Sequence, residues 1–255
     1  MDDDEIPVPI EGKFARFIGN RKAFMISEIA PILEKLRGTE EYDILVEMDA
    51  VYSRIEEKQR EWFEKSKFTC PQGCGKCCEH FEPDLLESEA LYMAAWLLCN
   101  KPEVAHNVAE GKFNGLDDGT AIGHCPFFRE NISGTDLPGH CTIYGGRASI
   151  CRLFGAAGFR DKYGNEVWKP CKFYPAEELA AIKTLSGEPI LHRQYTAEEV
   201  KNLFGVLPPV MSDMMEQEET FTPDDDSSTL IHDILPKYIQ RLMWIVDLNA
   251  GKDSI

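Results

Sequence analysis

Apolar residues recur every three or four positions in the first quarter of the chain, which is the period of an amphipathic helix. The clearest case is a helix predicted over residues 40–66, with Thr39 as its N-cap. The residues of its repeating face are Tyr42, Leu45, Tyr52, Ile55, Gln59, Trp62 and Phe63, of which only Gln59 is polar. A second helix is predicted over 21–37, with Pro31 opening a new segment and Gly38 ending it.

Capping residues predict further helices later in the chain. Asp84 and Glu87 are spaced as a capping pair for a helix over 85–98, and Pro102 is suited to the start of a helix over 103–110. Later segments carry the same kinds of signal: a capping box at Thr196 and Glu199, an end at Gly205, and an amphipathic stretch over 229–249 interrupted by Pro236. Residues 212–228 carry acids without a base and are predicted to be a solvated linker or mobile loop.

The middle of the chain, about 68–175, lacks this periodicity. It is rich in glycine and proline, and only 141–144 and 166–168 are strand-like. Loops of this length need something besides an apolar core to hold them, and a bound metal would do so. We therefore predict a mostly helical α+β fold, in which helices flank a loop-rich, metal-nucleated cysteine-cluster core. The predicted segments are 1–67, 68–175 and 176–255, packed as one compact unit.

Charge and composition argue against several classes of function. The 255-residue chain has a net charge of −17 and no run of Lys or Arg, which argues against nucleic-acid or membrane-surface binding. Its first residues, MDDDEIPVPI, lack the features of a secretion signal, and no stretch is apolar enough for a membrane span. We therefore expect a cytoplasmic protein. In that reducing compartment, dense cysteine indicates metal binding or catalysis rather than disulfides.

All nine cysteines lie in this central segment, and all except Cys99 are candidate metal ligands. Cys70, Cys74 and Cys77 have the spacing C-x3-C-x2-C, with Gly73 and Gly75 supplying backbone freedom, and could share one iron–sulfur cluster or one zinc ion. Cys78 is adjacent to Cys77, and adjacent side chains usually diverge. The pair therefore suits two neighbouring centres, or one ligand beside one free thiol.

Four later cysteines, Cys125, Cys141, Cys151 and Cys171, bring the number of candidate ligands to eight, enough for two four-ligand sites of unknown pairing. The alternative is a set of reduced, unliganded core cysteines. Cys99 stands apart at the end of AAWLLC and is predicted to be a buried structural thiol.

Histidines and arginines adjoin several of these cysteines. His80, His124 and His140 could be ligands, donors to a thiolate or general bases, and the alternative for each is an exposed loop residue. Arg147 and Arg152 could stabilise a negatively charged thiolate cluster or bind a carboxylate, or could be ordinary surface arginines.

Three blocks of the sequence resemble the YkgJ-type cysteine-cluster family, described as zinc- or iron-chelating. They are CPQGCGKCC (70–78), CPFF (125–128) and CTIYGGRASICRLF (141–154), which agree with the family pattern in order and spacing. Ala148 departs from the family's usual proline. The resemblance implies metal binding through these candidate ligands: Cys70, Cys74, Cys77, Cys78, Cys125, Cys141 and Cys151, to which we add Cys171.

The resemblance also raises an enzymatic alternative. Flagellin lysine N-methylases share the cysteine block and are linked to an iron–sulfur cluster and to methyl transfer from S-adenosylmethionine, which would imply a protein substrate. The spacing C-x3-C-x2-C also occurs in radical S-adenosylmethionine enzymes, but here Lys76 replaces their usual aromatic residue and no alternation of strands and helices follows. The surplus of thiols favours a 4Fe–4S centre over Zn²⁺, with both left open.

Overall fold

The computed structural model describes residues 26–68, 70, 74–113, 124–130, 139–219, 221 and 228–252. Within these ranges the fold is mostly helical with a few short antiparallel strands, which confirms the predicted fold class. The helices are α1 (Ile26–Leu33), α2 (Glu40–Ser66), α3 (Lys76–Glu79), α4 (Glu87–Asn100), α5 (Pro102–Ala109), α6 (Ser149–Leu153), α7 (Ala176–Ala180), α8 (Ala197–Phe204), α9 (Met211–Glu219) and α10 (Ile231–Lys252), with 3-10 turns at Glu34–Leu36 and Tyr144–Gly146.

The strands form three small antiparallel sheets. Their bounds are β1 (Asp84–Leu85), β2 (Phe128–Glu130), β3 (Gly139–Cys141), β4 (Phe159–Arg160), β5 (Glu166–Trp168), β6 (Tyr195–Thr196) and β7 (Thr229–Leu230). β1 pairs with β7, β2 with β3, and β5 lies between β4 and β6. The strand predicted at 166–168 is confirmed. The one predicted at 141–144 is wrong beyond Cys141, because the chain turns into the 3-10 turn at Tyr144.

Helix α2 has the bounds that its sequence predicts. The Thr39 hydroxyl accepts a hydrogen bond from the Tyr42 N–H at 3.3 Å, and Lys67 ends the helix with a φ of 56°. The one polar residue on the repeating face, Gln59, is buried, and its amide donates to the backbone carbonyl of Arg152. A buried amide without a partner would be costly, so this contact explains a polar residue on an apolar face.

Helix α4 begins later than predicted, and the proposed Asp84–Glu87 cap is wrong. Leu86 is the N-cap, and its backbone N–H donates to the Glu89 carboxylate at 3.0 Å. Asp84 is extended instead, because it pairs with Leu230 in the two-stranded sheet of β1 and β7. The partner residue, Leu230, is 146 positions away in the sequence, so a local pattern cannot show this pairing.

Two predicted interruptions at proline are also wrong. Helix α1 runs through Pro31 and helix α10 runs through Pro236 without a break. An internal proline removes one backbone hydrogen bond and costs about 3 kcal/mol. Both helices pack against α4 and bury apolar side chains there, such as Ile29 and Ile239, which offsets that cost.

The acidic segment 212–228 is not a linker in its first half. Helix α9 covers Met211–Glu219, with Met214 buried and the Glu218 side chain fully buried. Asp213 forms an ion pair with Arg160 at 2.8 Å, and Glu218 accepts a hydrogen bond from the Ser149 hydroxyl. The acids therefore have tertiary partners, although the segment has no base of its own. Residues 222–227 lie outside the described ranges.

Other helix ends agree with the predictions. Pro102 is the first residue of α5. Thr196 and Glu199 form the predicted capping box of α8, with hydrogen bonds of 2.8 and 3.3 Å, and Gly205 ends that helix with a φ of +74°. These signals are local, which explains why they could be recognised without the fold.

Two buried apolar clusters organise the described residues. The first cluster joins α1, α2, α4, α5 and α10 with Phe127 and Ile143 from the middle of the chain. The second cluster is aromatic and combines Trp62, Phe68 and Trp168 with residues of α8. Cys78, Cys141 and Cys151 pack against the first cluster and Cys171 against the second, so the cysteine-rich region lies where the two meet. None of the described helices is both long and apolar enough to cross a bilayer.

Candidate metal centre

Helix α3 carries the adjacent cysteines Cys77 and Cys78 and sets their directions. Successive positions on an α-helix differ by about 100°, so the two side chains leave the helix in different directions. Their Sγ atoms are 3.9 Å apart. Gly75 precedes the helix with a φ of +48°, and its missing side chain lets the chain approach the backbone of Gly139 in β3.

The first set of thiols, which we call the core thiol group, consists of Cys78, Cys125, Cys141 and Cys151. The Cys125 N–H donates to the Cys78 carbonyl at 2.9 Å, and the two thiols also share a hydrogen bond. Cys141 ends β3 and is paired across the sheet with Phe128, three residues after Cys125. Cys151 lies on α6, and its thiol interacts electrostatically with Cys78 and Cys141.

The second set, which we call the outer thiol group, consists of Cys70, Cys74, Cys77 and Cys171. The thiols of Cys70 and Cys74 share a hydrogen bond, and Cys70 also interacts with Cys77 and Cys171. Cys171 interacts in turn with Cys74 and Cys77. The groups adjoin each other, because Gly155, four residues after Cys151, leaves room for Cys171: a Cβ at Gly155 would be 3.2 Å from the Cβ of Cys171.

The surroundings of these sulfurs favour neutral thiols when no metal is bound. Partial removal of its sulfur from water raises the pKa of Cys70 to about 12, with the neighbouring thiols adding to the effect. The hydrogen bond with Cys125 raises the pKa of Cys78 to about 12, and burial raises the pKa of Cys151. Metal binding to these residues would therefore release protons.

The donor set fits a thiophilic metal by its chemistry. Eight thiols in two sets of four match the ligand number of a tetrahedral zinc site or of an iron–sulfur cluster. As the side chains stand, no group of three or more His, Cys, Asp or Glu within the described ranges is arranged to hold a metal ion. The thiols are in contact as pairs, such as Cys77 with Cys78 and Cys78 with Cys125.

Sequence reasoning missed the residues that position α6 and hence Cys151. Glu89 of α4 is buried, and one of its carboxylate oxygens accepts the Ser149 N–H at 2.8 Å while the other accepts the Leu86 N–H. One carboxylate thus holds the first turns of two helices. The spacing of Glu89 from Leu86 is a capping signal in retrospect, but nothing local indicates its contact with Ser149, 60 residues away.

The three histidines next to cysteines, His80, His124 and His140, each have different surroundings. His80 is exposed, with its ring nitrogen 3.6 Å from Glu79. His140 is exposed on β3 opposite Arg129, and His124 is half-buried immediately before Cys125. None of the three belongs to a metal-holding group within the described residues.

Arg152 and Cys99 both make contacts that support the fold. The Arg152 side chain is 1% exposed, pairs with Glu56 at 2.5 Å and lies over the ring of Tyr52. Cys99, predicted to be a buried thiol, is half-buried and packs against the first apolar cluster, and burial raises its pKa.

Comparisons with known proteins give one family match, which covers the central segment. Residues 69–178 match the CxxCxxCC family model. The description of that family is "Putative zinc- or iron-chelating domain", and the YkgJ-type resemblance is consistent with it. The match includes all eight cysteines of the two thiol groups. No curated protein and no solved structure matches the chain.

Proposed function

We propose that this protein binds metal at two adjacent centres, one in the core thiol group and one in the outer thiol group. Two observations support this division. Cys125 interacts with Cys78. Cys171 interacts instead with Cys74 and Cys77. The match of residues 69–178 to a zinc- or iron-chelating domain supports the metal itself. The bound metal would supply the crosslinks that this loop-rich segment otherwise lacks.

We expect at least one of the two centres to hold an iron–sulfur cluster, and the alternative is that both hold zinc. Eight thiolates exceed what one small ion can use, and thiolate-only sets bind either metal. The test is anaerobic purification followed by metal and acid-labile sulfide analysis and by EPR or Mössbauer spectroscopy. Brown protein with sulfide supports iron–sulfur. Colourless protein that carries zinc and no sulfide would show that the centres hold zinc and no cluster.

The two-centre arrangement is tested by removing one ligand from each group. We expect Cys171→Ser and Cys141→Ser each to lower the metal content by about half, because each change disables one set of four. Cys99→Ser is the matched control, since this thiol belongs to neither group. If either ligand variant lost all of its metal while circular dichroism showed an intact fold, the division into two centres would be wrong.

The second candidate function is methyl transfer from S-adenosylmethionine to a protein, by analogy with the lysine N-methylases that share the cysteine block. Its support is the resemblance alone. Calorimetric titration of the metal-loaded protein with S-adenosylmethionine separates the two proposals. Saturable heat would favour the enzyme, and no heat would favour a metal protein with a structural, storage or electron-transfer role.

A further inference from the structure

Two stretches of the chain lack acidic residues although the protein as a whole is strongly acidic. The sequence has 44 Asp and Glu among 255 residues, yet residues 65–78 and 167–176 contain none. The same two stretches carry five lysines and all four cysteines of the outer thiol group. Neither stretch is a run of basic residues, so neither indicates a basic surface by itself.

The fold brings the two stretches into contact through aromatic side chains. The ring centre of Phe68 lies 5.5 Å from that of Trp168 and 4.7 Å from that of Tyr174. A further contact joins His80, which follows helix α3, to Phe173, with ring centres 6.2 Å apart. Because Phe68 and Trp168 are buried in the second apolar cluster, the contact between the stretches is part of the core.

Exposed lysines adjoin both of these buried rings. Lys67 precedes Phe68 and Lys169 follows Trp168, and each lysine is exposed while its aromatic neighbour is buried. The contact between the two rings therefore has a positive charge at the surface on each of its two sides.

Two more lysines adjoin the contact of His80 with Phe173. Lys172 is exposed, and its Nζ lies 4.8 Å from the centre of the Phe173 ring. Lys76 is the first residue of α3 and His80 follows the last, so the two are four positions apart, a spacing that puts side chains on one side of a helix. We call the following four residues the lysine surface: Lys67, Lys76, Lys169 and Lys172.

The positive charge of the lysine surface is not neutralised by ion pairs. Within the ranges that the structure describes, none of the four lysines forms an ion pair with a carboxylate. Glu79, the acid nearest to Lys76 in sequence, lies 3.6 Å from Nε2 of His80. In a protein with a net charge of −17, a region of positive charge attracts a negatively charged partner and orients it.

We propose that the lysine surface is a docking site for an acidic region of another protein. Carboxylates fit this surface better than a nucleic acid does, for two reasons. The stretches 65–78 and 167–176 contain no arginine, which is the residue best suited to pair with phosphate. A nucleic acid also extends beyond so small a region, and the negative charge of the rest of the protein repels its phosphates.

Docking at this surface would bring the partner next to the outer thiol group. Lys76 adjoins Cys77, and both Lys169 and Lys172 lie within two positions of Cys171. The inference concerns recognition and does not require that these thiols bind metal. It therefore goes beyond the proposed function and can fail separately from it.

The experiment measures the binding of three fluorescent probes to the full-length protein by anisotropy. The probes are a peptide in which glutamate alternates with apolar residues, the same peptide with glutamine in place of glutamate, and a single-stranded DNA with the charge of the first peptide. The test variant combines Lys169→Glu with Lys172→Glu. The matched control combines Lys101→Glu with Lys237→Glu, at exposed positions before α5 and on α10 that change the net charge equally.

We expect the glutamate peptide to bind with an affinity that falls as salt is added, and the other two probes to bind at least roughly tenfold more weakly. The test variant should bind the glutamate peptide roughly tenfold more weakly or worse, because two attractive charges become repulsive. The control variant should keep the affinity of the unmodified protein. All three proteins should carry the same amount of metal.

Several results would overturn the inference. The glutamate peptide might fail to bind at low salt, or the control variant could lose as much affinity as the test variant, which would show a general effect of net charge. Tighter binding of the DNA would assign the surface to nucleic acid instead. Loss of both peptide and metal in the test variant would show that the reversals disturb the outer thiol group. Protein that holds no metal but binds the peptide through these lysines would refute the proposed function and leave this inference standing.

Discussion

At the scale of single residues, Gly75 shows how backbone freedom determines whether the thiols can meet. Its φ of +48° is unfavourable for other residues, and a Cβ there would clash with the Gly139 carbonyl and lie 2.7 Å from the Phe128 ring. Helix α3 could then no longer approach β3, so Cys78 and Cys141 would move apart. The glycine was recognisable in sequence as a source of freedom, but its partner was not.

We therefore predict that Gly75→Ala lowers the metal content by at least half, in addition to the roughly 1–2 kcal/mol of strain that a positive φ imposes on alanine. Metal analysis and urea unfolding are the measurements. Gly164→Ala is the matched control, because its φ of +81° is equally unfavourable but a Cβ there would meet nothing within 4 Å. Equal loss of metal in both variants would contradict the prediction.

Asp49 is a buried carboxylate whose ionisation should make stability depend on pH. It is 2% exposed on α2 and accepts the Tyr92 hydroxyl at 3.1 Å. Burial raises its pKa from 3.8 to about 6, and the hydrogen bond from Tyr92 and the charge of Arg152 offset only part of this effect. The folded state therefore holds the proton more tightly than the unfolded state. The resulting stabilisation is complete below about pH 4 and is lost as the pH rises through about 6.

Asp49→Asn keeps an acceptor for Tyr92 but has no charge to bury. We expect this variant to be more stable than the unmodified protein by about 2–3 kcal/mol at pH 8, with the difference vanishing near pH 4. Urea unfolding of the metal-free proteins at both pH values measures it. Asp43→Asn, at an exposed position of the same helix, should show no such dependence. A constant difference at both pH values would show that Asp49 does not titrate as described.

At the scale of elements, two side-chain contacts of α9 with the rest of the molecule differ in burial. Near its end, the fully buried Glu218 accepts the hydroxyl of Ser149, at the start of α6. Near its beginning, Asp213 pairs with Arg160, and both side chains are more than a third exposed. Because water competes for the exposed pair, the buried contact should contribute more to stability.

We predict that Ser149→Ala lowers the free energy of unfolding by about 1–3 kcal/mol, and that Arg160→Gln lowers it by less than about 1 kcal/mol. Urea denaturation followed by circular dichroism gives both values. Limited proteolysis within 211–219 should likewise accelerate more in Ser149→Ala. A larger cost for Arg160→Gln would mean that the surface pair, rather than the buried hydroxyl, secures α9.

Local signals predicted some elements to the residue and failed for others. The bounds of α2 follow from Thr39 and an apolar repeat, and the capping box of α8 lies within four residues. By contrast, the acids of α9 appear unpaired in sequence, because Arg160 and Ser149 lie more than 50 positions away. The prolines of α1 and α10 are tolerated for the same reason, since packing against α4 is a tertiary contribution.

At the scale of the whole molecule, metal removal should affect the regions unequally. Outside α4 and α5, the described part of segment 68–175 consists of short elements and turns, whereas α2 is 27 residues long and packs along the apolar clusters. We expect chelation to open the central segment first, while α2 keeps most of its helical signal. Limited proteolysis with mass spectrometry, with and without chelator, measures this.

The control for that experiment is chelated protein to which metal has been restored, which should recover its protection. Cleavage of the central segment at the same rate before and after chelation would contradict the prediction. The predicted division into 1–67, 68–175 and 176–255 also depends on this result. Both apolar clusters contain residues from more than one of these segments, so the central segment should lose order without detaching.

The sequence by itself determined the type of chemistry: thiols in a fixed order and spacing, a glycine-rich loop around them, and helices whose caps and apolar faces are local properties. Only the tertiary structure decided which thiols are neighbours, that Arg152 is paired with Glu56, and that Glu89 holds the helix carrying Cys151. The physical reason is the range of the interactions. Caps and periodicity act within a few residues, whereas thiol grouping, charge pairing and helix anchoring join atoms from distant parts of the chain.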